Sequence, residues 1–380
     1  MNNIAFATGS RAEYGIVRRF LTLLNEDDTI NLSILVTGAL LSKEYGHQVD
    51  LIRDDGFKID QEFDIDMNSE SNAGILHSMA IAEDKFGKYF EEHKYDLLII
   101  LGDRFEMLSV ATAAAMQRIP ILHLHGGEAT YGNYDEFIRH AITKMSLYHF
   151  TATEEYRQRV IQLGEDPEKV FYLGALGAEN CTNIEEEKVP DEVKELPPRR
   201  YFVILFHPET LTKVSTIDQI CELLSAVKQF EDYIFVFLGS NADTHSNEIR
   251  DKVKEFVEEH KNAMYFENLP TAGYHYLLRY SIGLIGNSSS GIIEAPSIGI
   301  QTINIGERQA GRVRGNSVHD IPCEKDSIKE TIEKIIEEQD FEIVNPYYKK
   351  NAAMNYYKTT KELLERIRKD TAQPKRFHDL

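Results

Sequence analysis

Acidic and imidazole side chains crowd one short stretch of the sequence. Between residues 123 and 140 it carries His123, His125, Glu128, Asp135, Glu136, Arg139 and His140, with a Gly-Gly pair after the second histidine. Ionisable groups at this density are rarely buried in a hydrophobic core. Closely placed carboxylates and imidazoles also shift one another's pKa values apart. We therefore expect general acid and base chemistry here. The candidate catalytic residues of this stretch are His125, Glu128, Asp135, Glu136 and Arg139.

A zinc site is the alternative interpretation of the same stretch. The period-two spacing of His123 and His125 predicts that both imidazoles lie on one face of a strand end. The three cysteines are scattered without a CxxC spacing, however, and no HExxH motif is present. Acid–base chemistry is therefore favoured over metal binding. The chain also lacks a GxGxxG motif, which argues against a nicotinamide or flavin, so we expect no metal and no cofactor.

Loops rich in glycine, serine and arginine follow several short apolar runs. They are residues 8–15 with Arg11, residues 101–106 with Asp103 and Arg104, residues 286–291 with Ser288 and Ser289 followed by Glu294, and residues 306–315 with Arg308. Backbone N–H groups and small hydroxyls at the start of a helix can cradle a diphosphate. Because the net charge is −20, arginines that bind phosphate must be concentrated locally, as they are in residues 306–315. An Asp103–Glu106 capping box is the alternative interpretation of the second loop.

Short apolar runs alternate with stretches of helical spacing along both halves of the chain. The predicted strands are residues 4–8, 32–37, 97–101, 121–125 and 149–152, and then 201–206, 233–238, 263–266, 283–285 and 302–305. This alternation indicates parallel sheets covered by helices on both faces. We predict an α/β protein of two Rossmann-like domains facing across a cleft, as in the GT-B architecture. The expected parts are a first domain at 1–182, a charged linker at 183–200, a second domain at 201–350, and a C-terminal helix within 351–380 that packs back on the first domain.

Composition narrows the classes of partner. With 42 Lys and Arg against 62 Asp and Glu, an acidic surface disfavours nucleic acid and anionic membranes. No apolar run approaches the ~18 residues that span a bilayer, and the N-terminus reads as a first strand rather than a signal peptide. We expect a cytoplasmic protein with a small-molecule ligand.

With these motifs in view, the sequence resembles the UDP-N-acetylglucosamine 2-epimerases, above all the hydrolysing bacterial enzymes of sialic-acid synthesis. The resemblance runs from residues 8–15 to residues 306–312 and is most specific in residues 125–144 and 286–291. It implies that UDP-N-acetylglucosamine and water give N-acetylmannosamine and UDP without metal or nicotinamide, in a homodimer or tetramer. By this resemblance, Asp103, Asp135 and Glu128 fall at catalytic positions. The positions that contact UDP or line the active site are Arg11, Arg104, His207, Asn241, Ser288, Ser289, Glu294 and Arg308.

This sequence departs from some relatives at two positions and leaves alternatives open. It has His125 where some relatives have an acid, and Leu40 where some have a histidine, so that Glu128 and His125 are the local candidates to compensate. The alternative functions are a non-hydrolysing 2-epimerase that keeps UDP on its product, a GT-B glycosyltransferase, and a nucleotide-sugar sensor without catalysis. The substrate could also be a UDP-2,4-diacetamido-trideoxy sugar.

Overall fold

Strands and helices alternate in both halves of the chain, as the sequence predicts. The computed structural model describes residues 1–42, 47–69, 71–131, 134–208, 214–239, 246–338, 342–369 and 375–379. The chain divides into two units, one made of Met1–Ala129, Asn133–Leu176 and Lys349–Leu380, and the other of Thr130–Gly132 and Gly177–Tyr348. Each unit is a parallel sheet with helices on both faces, which confirms the predicted class of two Rossmann-like α/β domains.

The first unit contains a seven-stranded sheet with the order β3-β2-β1-β4-β5-β6-β7 in the described residues. Its strands are β1 (Asn2–Thr8), β2 (Ile30–Thr37), β3 (Ile59–Phe63), β4 (Leu97–Leu101), β5 (Ile121–Leu124), β6 (Tyr148–Thr151) and β7 (Val170–Tyr172). Its helices up to the first boundary are α1 (Arg11–Asn25), α2 (Asp50–Asp54), α3 (Asn72–Glu92), α4 (Phe105–Met116), α5 (Asp135–Met145) and α6 (Glu154–Gln162), with 3-10 turns at Gly38–Leu40 and Pro167–Lys169. Alternate residues of β1 enter separate cores, Ile4 and Phe6 on one face and Ala5 and Ala7 on the other.

The second unit repeats this topology with six strands in the order β10-β9-β8-β11-β12-β13, counted over the residues described there. The strands are β8 (Tyr201–Leu205), β9 (Ile234–Leu238), β10 (Ala263–Phe266), β11 (Gly283–Gly286), β12 (Gln301–Ile305) and β13 (Val318–Ile321). The helices are α7 (Leu176–Asn180, at the boundary), α8 (Asp191–Lys194), α9 (Thr216–Val227), α10 (Ser246–Glu259), α11 (Thr271–Tyr280), α12 (Ser290–Ile293), α13 (Ala295–Ile298) and α14 (Lys325–Glu337), with a 3-10 turn at Glu186–Lys188.

The C-terminal segment belongs to the first unit. Helix α15 (Ala352–Lys369) buries Tyr356, whose ring lies edge-on to Phe20 at 5.6 Å and to Phe150 at 4.9 Å between centroids. The Tyr356 hydroxyl donates to the carbonyl of Gly174 at 2.8 Å. Helix α15 therefore completes the core of the unit in which the chain begins.

Two features differ from the sequence-based expectations. Strands β3, β7 and β13 were not predicted. Each lies at the edge of its sheet, where a strand is less completely covered and needs fewer apolar residues. The charged segment at 183–200 is part of the second unit rather than a free connection, because Val189, Val193 and Leu196 are buried in that unit's core. None of the helices in the described ranges is long and apolar enough to cross a membrane.

Candidate active site

The loop after β1 is built by a capping box at the start of α1. Ser10 caps the helix by accepting from the backbone N–H of Glu13 at 3.2 Å. Glu13 Oε2 in turn accepts from the backbone N–H groups of Gly9 at 2.8 Å and Ser10 at 3.0 Å. Arg11, at the first position of α1, is exposed. The predicted anion loop is therefore a preformed helix N-terminus with an exposed arginine.

A buried carboxylate lies directly beneath this loop. Glu106 is 0 % exposed and accepts from Arg104 Nε at 2.5 Å. A Cβ on Gly9 would lie 2.5 Å from Glu106 Oε1, so only glycine fits there. The Asp103–Glu106 capping box considered from the sequence is wrong, since the N-cap of α4 is Arg104 and it makes no side-chain cap bond. Glu106 instead pairs with Arg104, two residues earlier in the chain, and its carboxylate packs against Gly9 of the preceding loop.

Arg104 neutralises a group of carboxylates around the first loop. Burial raises the pKa of Glu13 to about 7, and the Arg104 guanidinium opposes that rise. Glu106 is the main cause that raises the pKa of Arg104, and Glu13 and Asp135 act in the same direction. Asp135, half-buried at the start of α5, therefore lies within electrostatic reach of Arg104. Two predicted site residues from separate loops are brought together here.

Arg139 gathers a second group of predicted residues. Its guanidinium is 0 % exposed and forms an ion pair with Asp103, which follows β4. It also pairs with Glu136 at 3.1 Å and donates to the backbone carbonyl of Glu128 at 2.8 Å. A buried cation requires such compensation, because an unpaired charge in the interior is strongly destabilising. Asp103, Glu128, Glu136 and Arg139 thus form one connected cluster at the carboxyl edge of the first sheet.

His123, within β5, and His125, just after it, have different surroundings. β5 ends at Leu124 and His125 has a φ of 64°, so the expectation that both imidazoles share a strand face is wrong. His125 Nδ1 lies 3.0 Å from Glu128 Oε1. The imidazole of His123 donates from Nε2 to the Gly102 carbonyl at 2.8 Å, and its Nδ1 accepts from the Thr143 hydroxyl at 3.1 Å. Burial lowers the pKa of His123 to about 3, so this histidine is a neutral structural group, whereas His125 is paired with the Glu128 carboxylate.

In the second unit, Asn287 organises the loop ends at the point where the strand order reverses. Its Oδ1 accepts from the backbone N–H of His207 at 2.7 Å, and its Nδ2 donates to the His207 carbonyl at 2.8 Å. The Asn287 carbonyl accepts from Arg308 at 3.2 Å and from Gln309 Nε2 at 2.9 Å. Asn287 and Gln309 were not among the predicted site residues. A polar residue directly after an apolar strand in a Gly-Asn-Ser loop was the available signal.

The remaining predicted residues of this unit lie next to Asn287 along the chain. Ser288 Oγ is 3.4 Å from the backbone nitrogen of Ser290, and Ser289 is the N-cap of α12. Glu294 lies between α12 and α13, with its carboxylate accepting from Ser290 Oγ at 2.6 Å. The structure therefore brings His207, Ser288, Ser289 and Arg308 together around Asn287. Asn241 lies outside the described residues.

Comparison with known proteins identifies the family of this chain. Residues 22–361 match the family model of UDP-N-acetylglucosamine 2-epimerase. The chain belongs to the UDP-N-acetylglucosamine 2-epimerase family. This confirms the resemblance found in the sequence.

Several relatives are similar over almost their whole length. The chain is 49% identical to the Polysialic acid biosynthesis protein P7 of Escherichia coli, over 100% of this chain and 98% of that protein. It is 34% identical to the GDP/UDP-N,N'-diacetylbacillosamine 2-epimerase (hydrolyzing) of Campylobacter jejuni, over 87% of each. The solved structure of UDP-GlcNAc 2-epimerase from Neisseria meningitidis bound to UDP-GlcNAc has a TM-score of 0.73 and 18% identity, covering 95% of this chain and 100% of that one. The last likeness concerns the fold alone.

Proposed function

We propose that this family member is a hydrolysing 2-epimerase that converts UDP-N-acetylglucosamine and water into N-acetylmannosamine and UDP for sialic-acid synthesis. The observation that carries the proposal is the cluster of Asp103, Glu128, Glu136 and Arg139 with the His125–Glu128 pair at one sheet edge. Such a cluster suits proton transfer on two faces of a sugar ring. The 49% identity to a polysialic acid biosynthesis protein supports this substrate.

The reaction needs an acid, a base and positive charge for a departing diphosphate. A base takes the proton from C2 while the C1–O bond breaks and UDP leaves with the bonding electrons, giving a glycal. Water then adds to C1 as a proton returns to C2 from the opposite face, and the sugar leaves as the 2-epimer. Proton donors and acceptors placed on both faces therefore decide the stereochemical outcome.

The first unit supplies the proton-transfer groups in this proposal. The pair of His125 and Glu128, 3.0 Å apart, can hold a proton on either partner. Asp103 is held by the buried Arg139, which fixes the orientation of its carboxylate and makes it the second candidate. Asp135, whose charge helps to raise the pKa of Arg104, is the third candidate for proton transfer.

In this proposal the diphosphate binds to arginines and hydrogen-bond donors, and the ribose binds to a carboxylate. Arg308 and the serines of residues 286–291 would contact the diphosphate, and Glu294 the ribose. The candidate UDP-binding residues of the proposal are Arg11, Arg104, Asn241, Ser288, Ser289, Glu294 and Arg308. His207 is instead a candidate catalytic residue, contributed by the second unit. Neutralisation of the leaving diphosphate by arginines requires no metal ion, so we expect full activity in EDTA.

The decisive experiment is incubation with UDP-N-acetylglucosamine in deuterated water, followed by NMR of the products. We expect free UDP and N-acetylmannosamine with deuterium at C2. UDP-N-acetylmannosamine without free UDP would instead support a non-hydrolysing epimerase. Binding of the nucleotide sugar without turnover would support a sensor.

A second substrate is favoured by one specific comparison. The 34% identical Campylobacter jejuni relative is a 2-epimerase for N,N'-diacetylbacillosamine nucleotides by its description. A UDP-2,4-diacetamido-trideoxy hexose is therefore the alternative substrate for the same chemistry. Measurement of kcat/KM for both sugars on one enzyme preparation decides between them, and we expect UDP-N-acetylglucosamine to be preferred.

A further inference from the structure

A chain of three hydroxyl and carboxylate groups ends on Glu294 in the second unit. The Tyr274 hydroxyl of α11 lies 2.5 Å from Ser290 Oγ, and Ser290 Oγ lies 2.6 Å from Glu294 Oε2. An ionised carboxylate only accepts hydrogen bonds, so Ser290 donates its one proton to Glu294. The Ser290 oxygen must then accept from Tyr274. The direction of both hydrogen bonds follows from this count of protons.

The Tyr274 hydroxyl, at the far end of this hydrogen-bonded series, stays protonated and so remains a donor. Burial, with Glu294 as a second cause, raises the pKa of Tyr274 above its ordinary value. The phenol therefore remains protonated at any pH at which the protein would be assayed. A persistent donor at the far end keeps Ser290 oriented toward the carboxylate.

Gly177 lies beside the second carboxylate oxygen of Glu294, Oε1. Oε1 lies 3.3 Å from the position that a Cβ on Gly177 would take, so no side chain covers it from that direction. His275 Nε2 lies 3.8 Å from Oε2, beyond hydrogen-bond distance. The carboxylate is 21% exposed. Oε2 is thus held by Ser290, while the carboxylate stays partly exposed and has further lone pairs with which it could accept hydrogen bonds from a ligand.

We propose that Tyr274 and Ser290 are positioning residues that hold the Glu294 carboxylate to accept the vicinal hydroxyls of a ribose, and so make the enzyme select ribonucleotides over 2′-deoxyribonucleotides. The inference rests on the proposed function, which places the nucleotide ribose at Glu294. Each carboxylate oxygen has two lone pairs, so Oε2 can accept from Ser290 and a ribose hydroxyl together while Oε1 accepts from the other hydroxyl. Loss of the hydrogen bonds from Tyr274 and Ser290 would let the Glu294 carboxylate rotate. The two hydrogen bonds from the ribose hydroxyls would then weaken.

The test compares UDP with 2′-deoxy-UDP by calorimetry on the full chain. We expect wild type to bind UDP more tightly than 2′-deoxy-UDP. In Tyr274→Phe the UDP affinity should fall about 3- to 10-fold, the range for one hydrogen bond. The affinity for 2′-deoxy-UDP should change less than about 2-fold, because that ligand uses one fewer bond to the carboxylate. The ratio of the affinity for UDP to that for 2′-deoxy-UDP should therefore decrease.

Two further variants separate positioning from packing. Tyr276→Phe is the matched control on the same helix; Tyr276 packs on Tyr280 with centroids 4.5 Å apart, and its substitution should leave both affinities unchanged. Ser290→Ala cuts the same chain at its middle, so it should narrow the preference as well and serves if Tyr274→Phe does not fold. Because Tyr274 acts through Ser290, the double variant should be no worse than Ser290→Ala alone.

The outcomes distinguish this inference from the proposed function. If both ligands weaken equally in Tyr274→Phe, or if the wild-type preference persists in Tyr274→Phe and Ser290→Ala, the positioning role is wrong while the proposed function stands. If wild type fails to bind UDP, the proposed function is overturned and the inference with it. Wild-type binding without a preference for UDP removes the ribose role of Glu294 alone.

Discussion

Arg139 is the residue on which the arrangement of the candidate catalytic carboxylates depends. It is completely buried and joins Asp103, Glu136 and the backbone of Glu128, which come from three segments of the chain. An arginine suits this position because its planar guanidinium offers several donors in fixed directions. The first unit therefore separates a group that positions the site from the groups that would move protons.

A contrast between Asp135 and Arg308 tests the division of binding from chemistry. Asp135→Asn keeps shape but removes basicity, so turnover should fall about 10²-fold or more while UDP affinity stays within a few-fold. Arg308→Ala should instead weaken UDP binding by about 1.5–3 kcal/mol, the range for a hydrogen bond to a charged group. Calorimetry with UDP and steady-state kinetics on both variants measure the contrast. Near-normal turnover in Asp135→Asn would pass the proton-transfer role to Asp103, Glu128 or His125.

At the scale of elements, the loop between β1 and α1 rests on a side chain of α4. Glu106 fills the space beneath Gly9 and is held there by Arg104. The capping box of Ser10 and Glu13 fixes the same loop from the α1 side. The loop geometry is therefore set by three elements together, and its glycine is a packing requirement.

Gly9→Ala should disturb this loop and little else. The new methyl would overlap the Glu106 carboxylate, and overpacking of this kind costs about 1–3 kcal/mol. We expect a lower melting temperature and weaker UDP binding. Gly15 lies within α1, and a Cβ added there would meet no atom within 4 Å. Gly15→Ala should therefore stabilise the protein by about 0.5–1 kcal/mol. Thermal melts with and without UDP measure both effects, and equal behaviour of the two variants would contradict the packing argument.

The C-terminal residues after α15 clamp another part of the first unit. Lys375 Nζ lies 2.6 Å from Glu165 Oε2, and Glu165 also contacts Lys144 at 2.7 Å and His149 at 3.0 Å. Burial opposes ionisation of Glu165, but the hydrogen bonds from His149, Lys144 and Lys375 outweigh it and lower its pKa to about 2. Lys375 also donates to the carbonyl of Thr143 in α5, so the clamp reaches the helix that carries Asp135.

This cluster predicts a pH-dependent contribution to stability. The pKa of Glu165 is below its ordinary value of 4.5 in the folded protein, so the stabilisation is full above pH 4.5 and is lost as pH falls toward 2. Burial lowers the pKa of Lys375 to about 8, so desolvation of its ammonium group offsets part of the gain from the pair with Glu165. Lys375→Met should therefore cost only about 1 kcal/mol at pH 7, and its difference from wild type should shrink below pH 4.5. Lys88→Met, which breaks an exposed pair with Asp84, should change stability by less than about 0.5 kcal/mol. Urea unfolding across the pH range measures this, and a constant difference would contradict it.

At the scale of the whole molecule, the chain leaves the first unit and returns to it. The second unit consists of Thr130–Gly132 and Gly177–Tyr348, and the segment from Lys349 rejoins the first. Helix α15 brings six buried side chains with it, which are Ala352, Ala353, Tyr356, Thr360, Leu363 and Leu364. Folding of the first unit therefore requires contacts between the two ends of the sequence.

Truncation before α15 should unfold the first unit. Each large apolar side chain contributes roughly 1.5–3 kcal/mol when buried, so losing three of them removes much of the 5–15 kcal/mol typical of a domain. We expect amides of β1 and β6 to lose protection from hydrogen exchange. The amides of β8 and β11 serve as the internal control and should stay protected. Retained protection in β1 would show that α15 adds little to that core.

The sequence by itself determined the fold class and most of the central strands. Buried parallel strands such as β4 and β8 are continuous apolar runs, and such runs are visible without knowledge of their neighbours. Loops that follow central strands also end at the same edge of a sheet, so the clustering of Asp103 with residues 125–139 was predictable from topology. Edge strands β3 and β13 lack the signal because they are only half covered.

Only the tertiary structure decided which polar side chains pair. His123 and His125 are two residues apart, yet one is a neutral structural group and the other faces Glu128, because the strand ends between them. Glu106 matched a local capping pattern, but packing against Gly9 of a distant loop buries its carboxylate, and there it pairs with Arg104. Periodicity reports which residues are buried, whereas the partner of a buried charge is set by the loops and helices that packing brings against it.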